Sequence, residues 1–388
     1  MKRVPYPVRA DVERKFAEIG FRARFDDGAQ YWDESAAYVF RRDEIELDVE
    51  KAAEELHALG LHLVDEVVRS ERQLARLKIP EHAWGVIAES WRRRDPSFYG
   101  RFDFAYDGRH PPKMLEYNAD TPTALYEAAV VQWRWREQGV AEGRLPRDAD
   151  QFNSAHEKLI ARFREICGDQ GLHLACMASA ADDAGTLAYL ADCARQAGLE
   201  TATLDMSQIG LSQGSFVDPQ GRLIRRLFKL YPWEWMFADD FGRAPALKTT
   251  LFLEPPWKQI LSNKGALALL WEKAPRHPNL LECYFEDARE AQGMRRYARK
   301  PLYSREGADI ELIGDGEVMR GASDGYGAEG YVRQQLQPLP EFNGRYPVIG
   351  AWIVGDKAAG MGVREDATPL TTERARFVPH VILGGLFR

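Results

Sequence analysis

One stretch of alternating residues constrains the fold of this 388-residue chain more than any other feature. From Arg101 to Tyr106, charged or small side chains alternate with three aromatic ones, which predicts a strand with one packed aromatic face. A turn over residues 107–112 returns the chain to residues 113–118, which we predict to be the partner strand. The chain therefore contains an antiparallel hairpin whose other face is charged.

The charged face of this hairpin is suited to a cation that is bound to phosphates. Arg101 and Asp103 share a face of the first strand, and Glu116 and Asn118 share a face of the second. Two carboxylates and an amide oxygen are hard ligands of the kind that Mg²⁺ takes on a nucleotide, and the arginine beside them can hold an anion. A solvated strand face with a surface ion pair explains the alternation about equally well.

Three types of segment follow one another along the chain. Residues 48–78 and the stretch after Pro80 have the periodicity of amphipathic helices. Residues 151–260 alternate helical and strand-like runs, which predicts a parallel α/β layer, and short β-rich runs past Leu280 predict a separate antiparallel unit. The expected divisions are an N-terminal helical region over residues 1–98, a central α/β unit with the metal and substrate site over 99–270, and an antiparallel sheet and lid over 271–388.

Composition restricts the partners and the setting of the protein. Lys and Arg number 52 against 59 Asp and Glu, a net charge of −7, which disfavours a nucleic-acid partner because phosphates need a basic surface. No uncharged apolar run approaches a membrane span, and the first residues lack a secretory signal, so we expect a cytoplasmic protein. The four cysteines have no metal-site spacing, which predicts reduced thiols. The oligomeric state is not fixed by these features.

Candidate phosphate-binding groups lie further along the chain. Lys264 and Lys300 are candidate phosphate lysines, although either one alone is better explained as a surface lysine. Residues 304–307 can form a loop whose backbone N–H groups cover phosphates, or an exposed turn. Residues 325–330 match G-x-G-x-x-G, but a dinucleotide site needs a helix after this motif and the residues that follow are strand-like. Motifs of serine hydrolases, P-loop enzymes and zinc proteases do not occur.

Taken together, these segments resemble the synthetase domain of glutathionylspermidine synthetases, and more closely the stand-alone homologues that lack an amidase domain. The resemblance runs from about Ile45 to the C-terminus. Its short motifs, specific together through their order and spacing, are residues 100–104, 116–120, 254–257, 263–264, 300–301, 305–307 and 334–336. The resemblance implies an α/β (α+β) chain with the ATP-grasp fold, in which a central α/β pre-ATP-grasp unit and an antiparallel lid hold ATP with Mg²⁺.

The resemblance also implies roles for individual residues. The implied magnesium ligands are Asp103, Glu116 and Asn118, and the implied contacts to ATP are Lys264, Lys300, Gln335, Leu336 and Gly307. The groups implied to stabilise the transferring phosphoryl group are Arg101 and Arg364, and the implied substrate contacts are Thr121, Thr123 and Asp183.

The implied reaction is ATP-dependent amide formation. A carboxylate attacks the γ-phosphate of ATP, giving an acyl phosphate and ADP, and an amine then displaces phosphate. The expected substrates are a glutathione-like peptide acid and a polyamine or other small amine, with no nucleic-acid or membrane partner. The alternative is a non-catalytic, nucleotide-binding regulatory protein on the same scaffold, because a fold does not guarantee activity.

Overall fold

The structure is a computed structural model, and it describes residues 1–22, 24, 28–177 and 181–384. The α-helices of this part are, in chain order, α1 (Val12–Ala17), α2 (Lys51–Val67), α3 (Glu71–Arg76), α4 (Glu81–Arg92), α5 (Gln132–Ala141), α6 (Ala155–Cys167), α7 (Ala181–Gln196), α8 (Trp233–Ala238), α9 (Lys258–Ser262), α10 (Gly265–Lys273) and α11 (Arg289–Gln292). A π-helical segment precedes α2 at Glu44–Glu50 and α5 at Glu127–Val131, and short 3₁₀ turns lie at Met206–Gln208 and Pro245–Lys248.

The strands of the described residues are mostly short, with the longest near the C-terminus. In chain order they are β1 (Lys2–Pro5), β2 (Ala36–Phe40), β3 (Tyr99–Ala105), β4 (Lys113–Asn118), β5 (Leu172–Cys176), β6 (Thr201–Asp205), β7 (Gly210–Ser212), β8 (Ser215–Val217), β9 (Arg226–Leu230), β10 (Leu251–Leu253), β11 (Cys283–Phe285), β12 (Tyr297–Pro301), β13 (Glu311–Gly314), β14 (Glu317–Arg320), β15 (Tyr331–Gln335), β16 (Tyr346–Val354), β17 (Lys357–Asp366), β18 (Arg376–Val378) and β19 (His380–Ile382).

Three sheets carry most of the fold. A parallel sheet has the strand order β10-β9-β5-β6, which confirms the parallel α/β layer predicted from alternating runs. An antiparallel sheet has the order β11-β15-β12-β13-β14, and a second has the order β18-β17-β16-β3-β4. The small sheets β1-β2-β19 and β7-β8 complete the described strands. The G-x-G-x-x-G stretch is followed at once by β15, so the strand predicted after this motif is confirmed.

The predicted hairpin is confirmed, and it is joined to distant strands. β3 and β4 pair antiparallel, with Asp103 opposite Glu116 and Arg101 opposite Asn118. β16 pairs with the free side of β3, so the C-terminal strands β16–β18 continue the same sheet. The expectation of a separate unit past Leu280 is therefore wrong for these strands, because strand pairing joins segments that are far apart in sequence. The division of the chain near residues 98 and 270 stays a prediction.

The helix predicted over residues 48–78 is interrupted. α2 ends at Val67, and Ser70 adopts an extended conformation before α3. The Ser70 hydroxyl accepts a hydrogen bond from the backbone N–H of Gln73 at 3.3 Å, which is the geometry of a helix N-cap. Apolar residues continue at helical spacing across this break, so the pattern alone did not reveal it. The helix predicted after Pro80 is α4.

Packing of the hairpin follows the aromatic pattern. Phe102 and Phe104 are buried, and Phe102 stacks on Tyr117 with ring centroids 3.8 Å apart.

The four cysteines are buried and free, as predicted. Among the helices of the described ranges, none has both the length and the apolar character needed to cross a bilayer.

Candidate active site

The charged face of the hairpin is buried. Arg101 and Asp103 are 5% and 3% exposed, and they pair through two hydrogen bonds, Nε to Oδ1 at 2.6 Å and Nη2 to Oδ2 at 3.0 Å. Arg364 of β17 donates a further bond to Oδ2 of Asp103 at 2.8 Å. Burial opposes the charge of Arg101, but the Asp103 carboxylate raises the pKa of Arg101 above its ordinary value. The solvated-face interpretation is therefore wrong for this strand.

A glycine makes room for these guanidinium groups. Gly350 of β16 lies opposite Asp103 in the sheet, between the strands that carry Arg101 and Arg364. A Cβ at Gly350 would lie 2.9 Å from Cδ of Arg101, closer than such atoms approach. A glycine inside a strand is a recognised sign that another group approaches the backbone closely. The sequence analysis missed Gly350, although a glycine at this position of a predicted strand could have indicated it.

Glu116 joins the hairpin to two lysines. Nζ of Lys264 lies 3.3 Å from Oε2 of Glu116, and the amide of Asn118 donates to Oε1 at 3.2 Å. Lys300 of β12 is buried and donates to the Leu115 carbonyl at 2.8 Å, on the strand that carries Glu116. Two cations, a carboxylate and an amide are thus grouped around β4.

The pKa values of this group reflect its charges. Burial would raise the pKa of Glu116, but the charges of Lys264 and Lys300 outweigh it and hold that pKa at about 2. Burial lowers the pKa of Lys300 to about 8, with the positive charge of Lys264 acting in the same direction against the attraction of Glu116. Displaced pKa values from burial and specific charge partners are typical of functional sites.

The backbone that carries Lys264 is held on both sides. Asn263 donates its side-chain amide to the Leu77 carbonyl at 2.8 Å and accepts from the Gly265 backbone N–H at 2.7 Å. The backbone N–H of Lys264 donates to the carbonyl of Leu302, just past β12, at 2.9 Å. These bonds place the lysine beside β12 at the start of α10.

Arg305 crosses the opening of the cluster. Its Nη1 donates to Oγ1 of Thr121 at 2.9 Å, and its Nη2 donates to Oε1 of Glu234 on α8 at 3.0 Å. The carbonyl of the preceding residue, Ser304, accepts from Nζ of Lys264 at 2.7 Å. The loop after β12 is therefore tied to both the hairpin side and α8, and the enclosed cavity measures about 50 Å³. Sequence analysis did not single out Glu234, because a lone glutamate between tryptophans carries no motif.

The remaining predicted substrate contacts lie near the start of two helices. The carbonyl of Thr123 accepts from Nη1 of Arg101 at 2.6 Å, which connects this residue to the arginine pair. Asp183 is half-buried in the first turn of α7. Burial, and then the charge of Asp183, raise the pKa of the Cys176 thiol to about 11, so Asp183 lies near the end of β5.

The remaining predicted ATP contacts lie in the sheet that contains β12 and in the loop after it. Gln335 is exposed at the end of β15, and the backbone N–H of Leu336 donates to the Arg296 carbonyl at 3.2 Å. Gly307 has φ of 77°, and a Cβ there would lie 2.5 Å from the Thr371 carbonyl oxygen. The adenine and loop roles of these three residues stay predictions.

A buried ion pair anchors one end of the hairpin. The Glu254 carboxylate accepts the backbone N–H groups of Phe98 at 3.1 Å and of Tyr99 at 2.8 Å, where β3 begins. Lys258 lies 3.1 Å from Glu254 and donates to the carbonyls of Tyr99 and Ala119, at 2.8 and 3.2 Å. The motif over residues 254–257 therefore belongs to the support of the site, which its sequence did not indicate.

The donor set fits a magnesium ion carried by a nucleotide. Asp103 and Glu116 lie opposite each other on paired strands, and the carbonyl oxygen of Asn118 extends the set. Mg²⁺ uses one or two carboxylates together with substrate phosphates instead of a complete protein cage. Residues 1–22, 24, 28–177 and 181–384 contain no cluster of three or more His, Cys, Asp or Glu side chains arranged to hold a metal ion.

Comparison with known proteins identifies relatives along nearly the whole chain. The family model described as glutathionylspermidine synthase preATP-grasp matches residues 3–383. A Haemophilus influenzae protein described as a candidate acid–amine ligase is 42% identical, with 98% of this chain and 99% of that protein covered. Trypanothione synthetase of Crithidia fasciculata is 29% identical, with 82% and 52% covered. The bifunctional glutathionylspermidine synthetase/amidase of Escherichia coli is 28% identical, with 87% and 58% covered.

The lengths of these relatives differ. The chain spans about half the length of the trypanothione synthetase and of the bifunctional enzyme, but nearly all of the Haemophilus protein. Among solved structures, a glutathione synthetase-like effector of Globodera pallida aligns over 96% of both chains, with a TM-score of 0.55 and 12% identity. At that identity the likeness supports the fold alone, and the fold is of the glutathione synthetase-like ATP-grasp type.

Proposed function

This chain belongs to the glutathionylspermidine synthase preATP-grasp family, and on that premise we propose that it is an ATP-dependent acid–amine ligase. The observation that carries the proposal is the buried cluster in which Asp103 holds Arg101 and Arg364 while Glu116 meets Lys264 and Lys300. Six charged groups meet here, and four of them (Arg101, Asp103, Lys264 and Lys300) are buried. Buried charges are costly unless they are paired, so this concentration of charge favours a role in binding a charged ligand.

In this proposal the cations bind ATP and stabilise phosphoryl transfer. Lys264 and Lys300 hold the phosphates, while Arg101 and Arg364 neutralise the charge on the group that passes to the acid. Asp103 fixes both guanidinium groups before substrate binds, so that little reorganisation is needed during the reaction. The acid's carboxylate displaces ADP to form an acyl phosphate, and the amine then displaces phosphate, as the implied chemistry requires.

Asp103, Glu116 and Asn118 are the proposed magnesium ligands. Bound there, Mg²⁺ neutralises phosphate charge and orients the nucleotide. Gln335, Leu336 and the Gly307 loop are the proposed nucleotide contacts around it.

The substrates are proposed from the relatives. Enzymes of this family are named for glutathionylspermidine and trypanothione, so a glutathione-like peptide acid and a polyamine are the first pair to test. Thr121, Thr123 and Asp183 are the proposed substrate contacts. Arg305 lies where it can exchange Glu234 for an anionic group of the bound acid, because its present partners are one hydroxyl and one carboxylate.

The test is ADP release in the presence of Mg-ATP with a matrix of small peptide acids and amines. The ligase proposal requires that release depends on both one acid and one amine, with an amide product of the summed mass less water. Mg-ATP binding without release for any pair would contradict the ligase and favour the regulatory alternative.

ATP binding should weaken as the pH rises above about 8. The pKa of Lys300 is about 8, so its ammonium is charged below that pH and loses its proton above it. Bound phosphates raise this pKa and move the midpoint upward, since a nearby opposite charge favours the charged form. Lys300→Arg keeps its charge and should remove this part of the pH dependence. Calorimetric titration of Mg-ATP into both proteins at pH values below and above about 8 checks the expectation. An ATP affinity that falls equally with pH in the two proteins would contradict it.

Replacing Gly350 with alanine should lower turnover roughly 100-fold, because the new Cβ displaces Arg101, and misplacement by about 1 Å costs this much. The matched control is Gly85→Ala inside α4, where the new methyl group meets no atom within 4 Å beyond the local helix backbone and the two neighbouring residues. That variant should keep its turnover and gain about 0.5–1 kcal/mol of stability. Steady-state ADP release and urea unfolding measure the two effects, and a fully active Gly350→Ala protein would remove the steric argument.

A further inference from the structure

A second cavity lies in the parallel α/β layer, apart from the charged cluster. Its volume is about 310 Å³, several times that of the space under Arg305. Residues that follow β5 and β6, residues of β9 and α8 with the segments after them, and Phe216 of β8 line it. Crevices at the carboxyl ends of parallel strands are frequent ligand sites in α/β proteins.

The walls of this cavity are apolar and adaptable. The buried wall side chains are Ile209, Phe216, Leu227 and Met236. Met177 and Met206 are half-buried and complete the lining. Methionine is flexible and polarisable, so these walls suit an apolar group of variable shape.

The polar end of the cavity is negatively charged and aromatic. Asp239 and Asp240 are exposed there, and the Tyr231 hydroxyl is hydrogen-bonded to the Asp239 carboxylate. The backbone N–H of Phe241 donates to Oδ1 of Asp239 at 3.0 Å, which fixes the carboxylate in place. Burial, together with the charge of Asp240, raises the pKa of Asp239, as expected where no cation balances it. Among the described lining residues, none is Lys, Arg or His.

We propose that this cavity binds an amphiphilic amine, with an apolar body of phenylalkyl size between the methionines and an ammonium group at Asp239 and Asp240. Charge complementarity selects the cation, and the Tyr231 ring adds a face on which an ammonium is attracted. A neutral molecule of the same shape gains the apolar contacts only, and an anionic one is also repelled by the two carboxylates.

This site does not depend on the proposed ligase activity. α8 separates the two regions, since Glu234 contacts Arg305 while Met236 lines the cavity. Amine binding should therefore persist in the Glu116→Ala protein, with or without ATP.

The first experiment titrates 4-phenylbutylamine into the full chain near neutral pH by calorimetry, with 4-phenylbutanol and 4-phenylbutyrate as probes of equal shape. We expect saturable binding of one amine per chain, binding of the alcohol that is about tenfold weaker, and no binding of the carboxylate. Equal affinity for the amine and the alcohol would overturn the proposal.

Two variants locate the binding. Asp239→Asn combined with Asp240→Asn should lower the amine affinity about tenfold and leave the alcohol unaffected. Asp169→Asn combined with Glu200→Gln removes the same charge from exposed positions and should change nothing. Met206→Trp narrows the opening and should weaken both probes. Unchanged amine binding in either the paired Asn variant or a folded Met206→Trp protein would overturn the proposal.

Discussion

Replacing Glu116 with alanine should lower amide formation by roughly 100- to 1000-fold, the loss found when one preorganised charge partner is removed. The substitution deletes a proposed magnesium ligand, and it leaves the positive charges of Lys264 and Lys300 without the carboxylate that now attracts both. We expect a folded protein, because Glu116 lies at the edge of the core and its loss opens a polar space.

The matched control for this variant is Glu272→Ala, which removes a glutamate from a surface ion pair with Arg76. It should keep turnover within about twofold, since exposed pairs contribute little. ADP release with the substrate pair from the screen measures turnover, and Mg-ATP titration measures nucleotide binding. Thermal unfolding shows whether the variant is still folded, which separates loss of the site from loss of the fold. A Glu116→Ala enzyme with more than half of the original turnover would remove this residue from the mechanism.

Lys258→Met should destabilise the protein by about 3–5 kcal/mol, because it leaves the Glu254 carboxylate buried without its partner. Lys258 also donates to the Tyr99 and Ala119 carbonyls, so its loss loosens the start of β3 and the residue after β4 together. Urea unfolding followed by tryptophan fluorescence measures the change.

Two further variants test the cause of this loss. Lys258→Met combined with Glu254→Gln removes both charges while an acceptor oxygen remains for the Phe98 and Tyr99 N–H groups, so it should recover much of the stability. Lys273→Met breaks an exposed pair with Glu66 and should cost less than about 1 kcal/mol. If the double variant were as unstable as Lys258→Met alone, an uncompensated charge would not be the cause.

The site was partly accessible from the sequence. The alternation around Arg101 and the pairing of Glu116 with Asn118 predicted the hairpin and which side chains share its charged face, because side-chain direction along a strand depends only on position. The chemistry of Lys264 and Lys300 required the family resemblance, since a single lysine has no local signature. Glu234 was missed because its importance lies in what it approaches and not in its neighbours along the chain. Gly350 was also missed, although a glycine inside a predicted strand could have indicated it.

What the sequence by itself determined is the local part: the hairpin and its two faces, the amphipathic helices before it, and the residue types able to bind metal and phosphate. The tertiary structure decided that the charged face is buried, that Arg364 of β17 reaches Asp103 across β16, and that Glu254 and Lys258 anchor the hairpin. Periodicity depends on neighbours within a few positions, whereas burial depends on which distant strands pair in the same sheet. Only the folded sheet order therefore turns an ordinary charged strand into a candidate active site.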